Sequence, residues 1–124
     1  MSRIKVVNLT PHDVVAYTQS NKRIIIPASG DIARIEPNPT LVRKIFGVPL
    51  LRKYFEDVYV YRRHSEDIAL PEQEEGVYYI VSNMVAQRSR ELNRNDLIAP
   101  DTGTSCVRDG ENKIIGVRNF QIYT

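Results

Sequence analysis

A chain of 124 residues, 42% hydrophobic and 26% charged, has the length of one domain and the composition of an ordinary globular protein. Collagen-like, disordered, coiled-coil and membrane-spanning classes are disfavoured: the longest apolar stretches, such as 76–81, fall far short of the roughly 20 residues that cross a bilayer. The net charge of +2 conceals an asymmetry, because residues 1–63 hold eleven Lys and Arg against five acids while residues 64–124 hold six against ten.

The N-terminus begins basic, but its apolar stretch is too short for a signal peptide and no small-residue cleavage site follows, so a cytoplasmic protein is expected. Cys106 is alone, which rules out an intrachain disulfide and a cysteine zinc site and suits a small buried apolar residue. The glycosylation pattern Asn8-Leu9-Thr10 has no meaning without export.

Frequent Pro and Gly leave room for short elements, and strands are predicted at 4–9, 14–18, 23–27 and 32–36, with 19–22 as a polar hairpin loop and a β-meander as the arrangement. Leu41, Val42, Ile45 and Phe46 follow helical spacing, which predicts a short helix over about 40–46. Residues 58–62 alternate as a strand, and 76–81 reads as a buried strand. Ser82 then caps a helix expected from 83 to about 92, with Arg88 and Arg90 toward its C-terminal end. Short strands are expected at 97–99 and 105–108. The turn 109–113 leads into a final strand, 114–123, in which Gly116 marks a bulge. The fold class is thus α+β, a single domain over 1–124, mostly antiparallel β-sheet with one clear helix.

Few residues suggest chemistry. Thr10-Pro11-His12-Asp13 reads as a capped turn, and His12 has no acid or nucleophile at a recognised spacing. His64 is weaker still, and two isolated histidines make no metal site. Ser82 at a strand-to-helix junction offers free N–H groups to an anion, or simply caps the helix. Arg94, Asp96 and Arg108 cluster around turns, where they form either an anion clamp or internal ion pairs. Arg43, Lys44, Arg52, Lys53, Arg62 and Arg63, interleaved with Tyr54, Phe55, Tyr59 and Tyr61, suit either nucleic acid or a solvated face with its rings in the core.

Asn8-Leu9-Thr10-Pro11-His12, Ser29-Gly30 with Ala33-Arg34, Tyr79-Ile80-Val81-Ser82 with Val85-Ala86, Arg94-x-Asp96-Leu97-x-x-Pro100, and Val107-Arg108-Asp109 with Ile115-Gly116 together resemble a family of small uncharacterised proteins of bacteriophage, prophage and bacterial genomes. The segment 41–68 departs from that pattern, being longer and more basic. The resemblance implies a viral or mobile-element setting and no mechanism. Because its residues are polar, it also raises the expectation of a pocket formed by His12, Arg34, Ser82, Arg94, Asp96 and Arg108 for a small anionic or nucleotide-like ligand. The expectation is therefore a non-enzymatic accessory protein that binds such a ligand and has no cofactor. Alternatives are a protein-interaction or virion-associated homo-oligomer, and nucleic-acid binding through 43–63. No nucleophile–base pair or paired acid/base carboxylates can be identified.

Overall fold

The computed structural model describes residues 3–124, with only the backbone described at 37, 38 and 54–56. Eleven strands and one short helix follow in order: β1 (Lys5–Asn8), β2 (Val14–Tyr17), β3 (Arg23–Ile26), β4 (Asp31–Ile45), β5 (Val48–Arg62), β6 (Ile68–Ala69), β7 (Val77–Ile80), α1 (Asn83–Ala86), β8 (Leu97–Pro100), β9 (Val107–Arg108), β10 (Ile114–Gly116) and β11 (Phe120–Gln121). The protein is mostly β, with 48% strand and 3% helix. That overturns the α+β expectation and its one clear helix.

The central sheet runs β1-β7-β8-β11, with β1, β7 and β8 parallel and β11 antiparallel to β8. A meander was expected for the first four strands; instead β1 lies beside β7, from Lys5 opposite Val77 to Asn8 opposite Ile80. Strand periodicity explains why β7 is apolar throughout. Tyr79, Val81, Leu97 and Ala99 face one layer, containing Leu9, Ala33, Val58, Val60, Val85 and Ala86, while Ile80 and Ile98 face the other, with Val14 and Ile26. One side of the sheet is thus covered by α1 and the root of the β4–β5 hairpin, and the other by the β2–β3 hairpin. Each fully buried aliphatic side chain contributes about 1.5–3 kcal/mol.

Ser82 caps α1 as expected, its hydroxyl accepting from Val85 N at 3.3 Å. The helix nevertheless ends at Ala86 rather than near 92. Beyond it Arg88 N and Ser89 N bond three residues back, to Val85 O and Ala86 O, and the Ser89 hydroxyl donates to Ala86 O at 2.6 Å. A buried serine that competes for helical carbonyls replaces the helix with tight turns. The helix expected over 40–46 is also absent: those residues form the distal end of β4 and the start of the turn of a long hairpin. Its apolar spacing spans less than two helical turns, too little to outweigh pairing along β5. The single strand expected over 114–123 is divided into β10 and β11, and the bulge expected near Gly116 appears as a register shift between Ile114 and Gly116. A Cβ at Gly116 would lie 2.6 Å from the Tyr17 ring, so glycine lets β10 approach β2.

Asn8 is 1% exposed and makes use of every polar atom of its side chain. Its amide nitrogen donates to His12 O at 2.9 Å and Ile26 O at 3.0 Å, and its oxygen accepts from Thr10 N at 2.9 Å and the Thr10 hydroxyl at 2.6 Å. Thr10 therefore does not cap a helix, and Asp13 reaches across the β2–β3 hairpin to accept from Ala28 N at 2.9 Å. Asn8→Ala removes a buried side chain that partners all of these groups, and a loss of about 2–4 kcal/mol is expected in urea unfolding. Asn8→Asp, which retains the acceptor and loses both donors, is expected to destabilise as well.

Candidate functional site

The root of β4–β5 is pinned by side chains on its exposed face. The Arg34 guanidinium stacks over the Tyr61 ring at 4.4 Å, and the Tyr59 hydroxyl donates to Glu36 at 2.6 Å, a bond that raises the phenol above its ordinary pKa. Beyond that root the hairpin leaves the body. Every residue from 39 to 53 is exposed, so neither face of this arm is buried in the core. At roughly 3.4 Å per residue the stretch from 39 to the tip extends about 25 Å.

The register fixes what the arm presents. Ile45 opposes Val48, Arg43 opposes Leu50 and Thr40 opposes Arg52; Lys44 opposes Pro49, Leu41 opposes Leu51 and Pro39 opposes Lys53. Alternation therefore gives both faces a mixture of aliphatic side chains and cations. Leu41, Val42, Ile45, Phe46, Val48, Leu50 and Leu51 are all exposed large hydrophobics. The segment 40–53 holds four cations, Arg43, Lys44, Arg52 and Lys53, and no acid.

The tip is a two-residue turn, Phe46-Gly47, with φ of 52° and 79°. Positive φ at both positions is the signature of a type I′ hairpin turn, which favours Asn-Gly. A bulky side chain is disfavoured there by conformation, and Phe46 is disfavoured by hydration too, since its relative exposure is 101%.

The expected anion-binding residues do not converge. His12 and Ser82 line one cavity of about 490 Å³, together with Thr10, Asp13, Val14, Val15, Val81, Asn83, Ile114, Ile115, Gly116 and Val117. No Lys or Arg lines it. Arg94 is committed elsewhere: its Nε and a terminal nitrogen donate to the two oxygens of Asp96 at 2.8 and 2.7 Å, and both side chains are largely buried. Of the two readings weighed for this pair, the internal ion pair is the arrangement observed. Arg108 donates to Asn112 O at 2.8 Å, and Asp109 accepts from Glu111 N and Lys113 N, so Val107-Arg108-Asp109 holds the β9–β10 turn.

No family model, curated protein or solved structure matches the chain. The geometry of the site alone supports a functional reading.

The expected nucleic-acid residues divide into two groups. Arg43, Lys44, Arg52 and Lys53 lie on the arm. Arg62 donates to Glu66 O at 2.9 Å at the root, and Arg63 lines a separate cavity with Thr10 and Tyr61. Tyr54 and Phe55 lie outside the described side chains. Among the described residues no His, Cys, Asp and Glu cluster could hold a metal ion, and no helix is long and apolar enough to cross a membrane. Cys106 is half-buried and unpaired. Sequence reasoning missed Phe46 as an exposed turn residue because Phe-Gly is not a turn signal. The available clue was the recurrence of one apolar and basic order on either side of the turn, Leu41-Val42-Arg43-Lys44 and Leu50-Leu51-Arg52-Lys53.

Arg94→Ala leaves the Asp96 carboxylate, 3% exposed, without its counter-ion. Loss of one partner of a buried pair costs about 3 kcal/mol, measurable as a lower denaturation midpoint with an unchanged slope.

Proposed function

We propose that this protein is a non-enzymatic interaction component that self-associates through the β4–β5 arm. The observation that carries this reading is the uninterrupted exposure of 39–53, a stretch rich in large hydrophobics. An isolated two-stranded hairpin is marginally stable in water, and contiguous exposed apolar surface of this kind marks a protein-binding site. The free edges of the arm add backbone donors and acceptors that can pair with another strand. A viral or mobile-element setting, suggested by the sequence resemblance, accords with an assembly role.

Nucleic acid is favoured by the four arm cations and disfavoured by the aliphatic side chains that share both faces with them. A small anionic ligand is the weaker reading, because the cavity containing His12 and Ser82 has no cationic side chain and Arg94 is engaged by Asp96. The test replaces residues 40–52 with Asn-Gly, joining the register partners Pro39 and Lys53. In light scattering from micromolar to millimolar concentration, the full chain is expected to exceed its 14.2 kDa monomer mass. The shortened chain is expected to remain monomeric with a Tm within a few degrees of the full chain. A full chain that stays monomeric throughout, or one whose dominant behaviour is salt-sensitive retention on DNA or RNA, defeats the proposal.

A further inference from the structure

We infer that the tip of the arm seats in the cavity of a second copy of this chain, so that copies join head to tail, with Phe46 as the plug. The inference rests on the arm reading above and adds the identity of the acceptor surface.

Three observations carry it. Phe46 occupies a turn position where its backbone conformation favours Asn and its ring is wholly in water. A residue unfavourable on both counts in the isolated chain points to a role outside it. Second, the same chain has an open cavity of matching character. Its walls include Val14, Val15, Val81, Ile114, Ile115 and Val117, and its volume of about 490 Å³ lies within the range of clefts that bury organic ligands, roughly 300–1,000 Å³. A phenyl ring flanked by Ile45 and Val48, its neighbours across the turn, is a suitable occupant.

Third, the charges agree. Arg43 and Lys44 stand within three residues of the plug, whereas the cavity contains no Lys or Arg and has the Asp13 carboxylate among its lining. One Asp13 oxygen already accepts from Ala28 N, which orients the group while leaving its negative charge for an incoming cation. Outside 40–53 the chain holds thirteen basic and fifteen acidic residues, so the arm is the cationic element and the remainder is mildly anionic. Plug and cavity are different surfaces of one chain. The contact is therefore heterologous, and it propagates until a ring closes or a filament forms.

The test uses two full-length variants. Phe46→Asn converts the tip to Asn-Gly, so it is expected to keep or raise the Tm while abolishing association. Ile115→Arg places a cation at an exposed position of the cavity wall, where it blocks the seat and repels Arg43 and Lys44. Each variant alone is expected to be monomeric. Mixed in equal amounts, they retain one intact plug and one intact cavity, so native mass spectrometry is expected to find a one-to-one pair of twice the 14.2 kDa chain mass and no larger species. Phe46→Asn that still assembles like the wild type, or a mixture of two folded variants that stays monomeric, overturns the inference. Assembly lost on shortening the arm but indifferent to Ile115→Arg overturns this seat and leaves the arm reading standing. A wild-type chain that never associates overturns both.

Discussion

The body of the protein depends on one buried amide. β1 ends at Asn8, where the chain must leave the central sheet and enter the β2–β3 hairpin that covers it. An abrupt bend at that point leaves backbone carbonyls and N–H groups away from any ladder. Asn8 supplies two donors and one two-lone-pair acceptor, matching His12 O, Ile26 O and the Thr10 N–H and hydroxyl. No other common side chain of this size offers both functions in a flat fork. Its backbone also accepts from Ser29 N and bridges to Ala28, so one residue positions the strand, its covering hairpin and the entry to β4.

That entry in turn orients the arm. Leu9 O accepts from Ala33 N at 2.9 Å, and Ala33, Val58 and Val60 lie in the core under the sheet. The hairpin root is held in the core, while residues 39–53 are exposed. Anchored root and bare tip fit a lever that presents side chains at a fixed distance from the body.

Much of the strand content was legible because period-two patterns of Val, Ile and Tyr are local, and β2, β3 and β7 fell close to their predicted limits. The pairing of β1 with β7 was not, because nothing in either strand names its partner across some seventy residues; only burial on both faces selects it. The helix after Ser82 failed for a different reason. Its cap is real, but Ser89 turns inward and its hydroxyl displaces the helical pattern, a tertiary preference that propensity does not carry. Residues 40–46 misled through coincidence: two apolar pairs at helical spacing also suit a strand with a bulge.

Of the polar residues expected to share one pocket, His12 and Ser82 line a common cavity while Arg94, Asp96 and Arg108 lie elsewhere. Asn8 staples a bend, Asp96 anchors Arg94, and Arg108 and Asp109 tie a turn. Each serves its own loop. Short polar motifs next to strands are often the hydrogen-bonding solution to a corner, and sequence alone does not distinguish such a corner from a binding site. The arm, by contrast, contains nothing that looks like a site residue by residue. Its meaning comes from exposure, which only the fold reveals.

The wide separation of β1 from its partner has a consequence for synthesis. The parallel ladder cannot close until β7 has emerged, and β8 and β11 must follow to complete the sheet. The β4–β5 hairpin needs only its own contiguous residues and a two-residue turn, and contacts close in sequence form sooner than distant ones. On the ribosome the arm can therefore form soon after the β2–β3 hairpin, and its apolar tip is present before the body that contains the cavity is complete. Under the head-to-tail inference, neighbouring nascent chains on one message have plugs but no seats, so assembly waits until each body is complete.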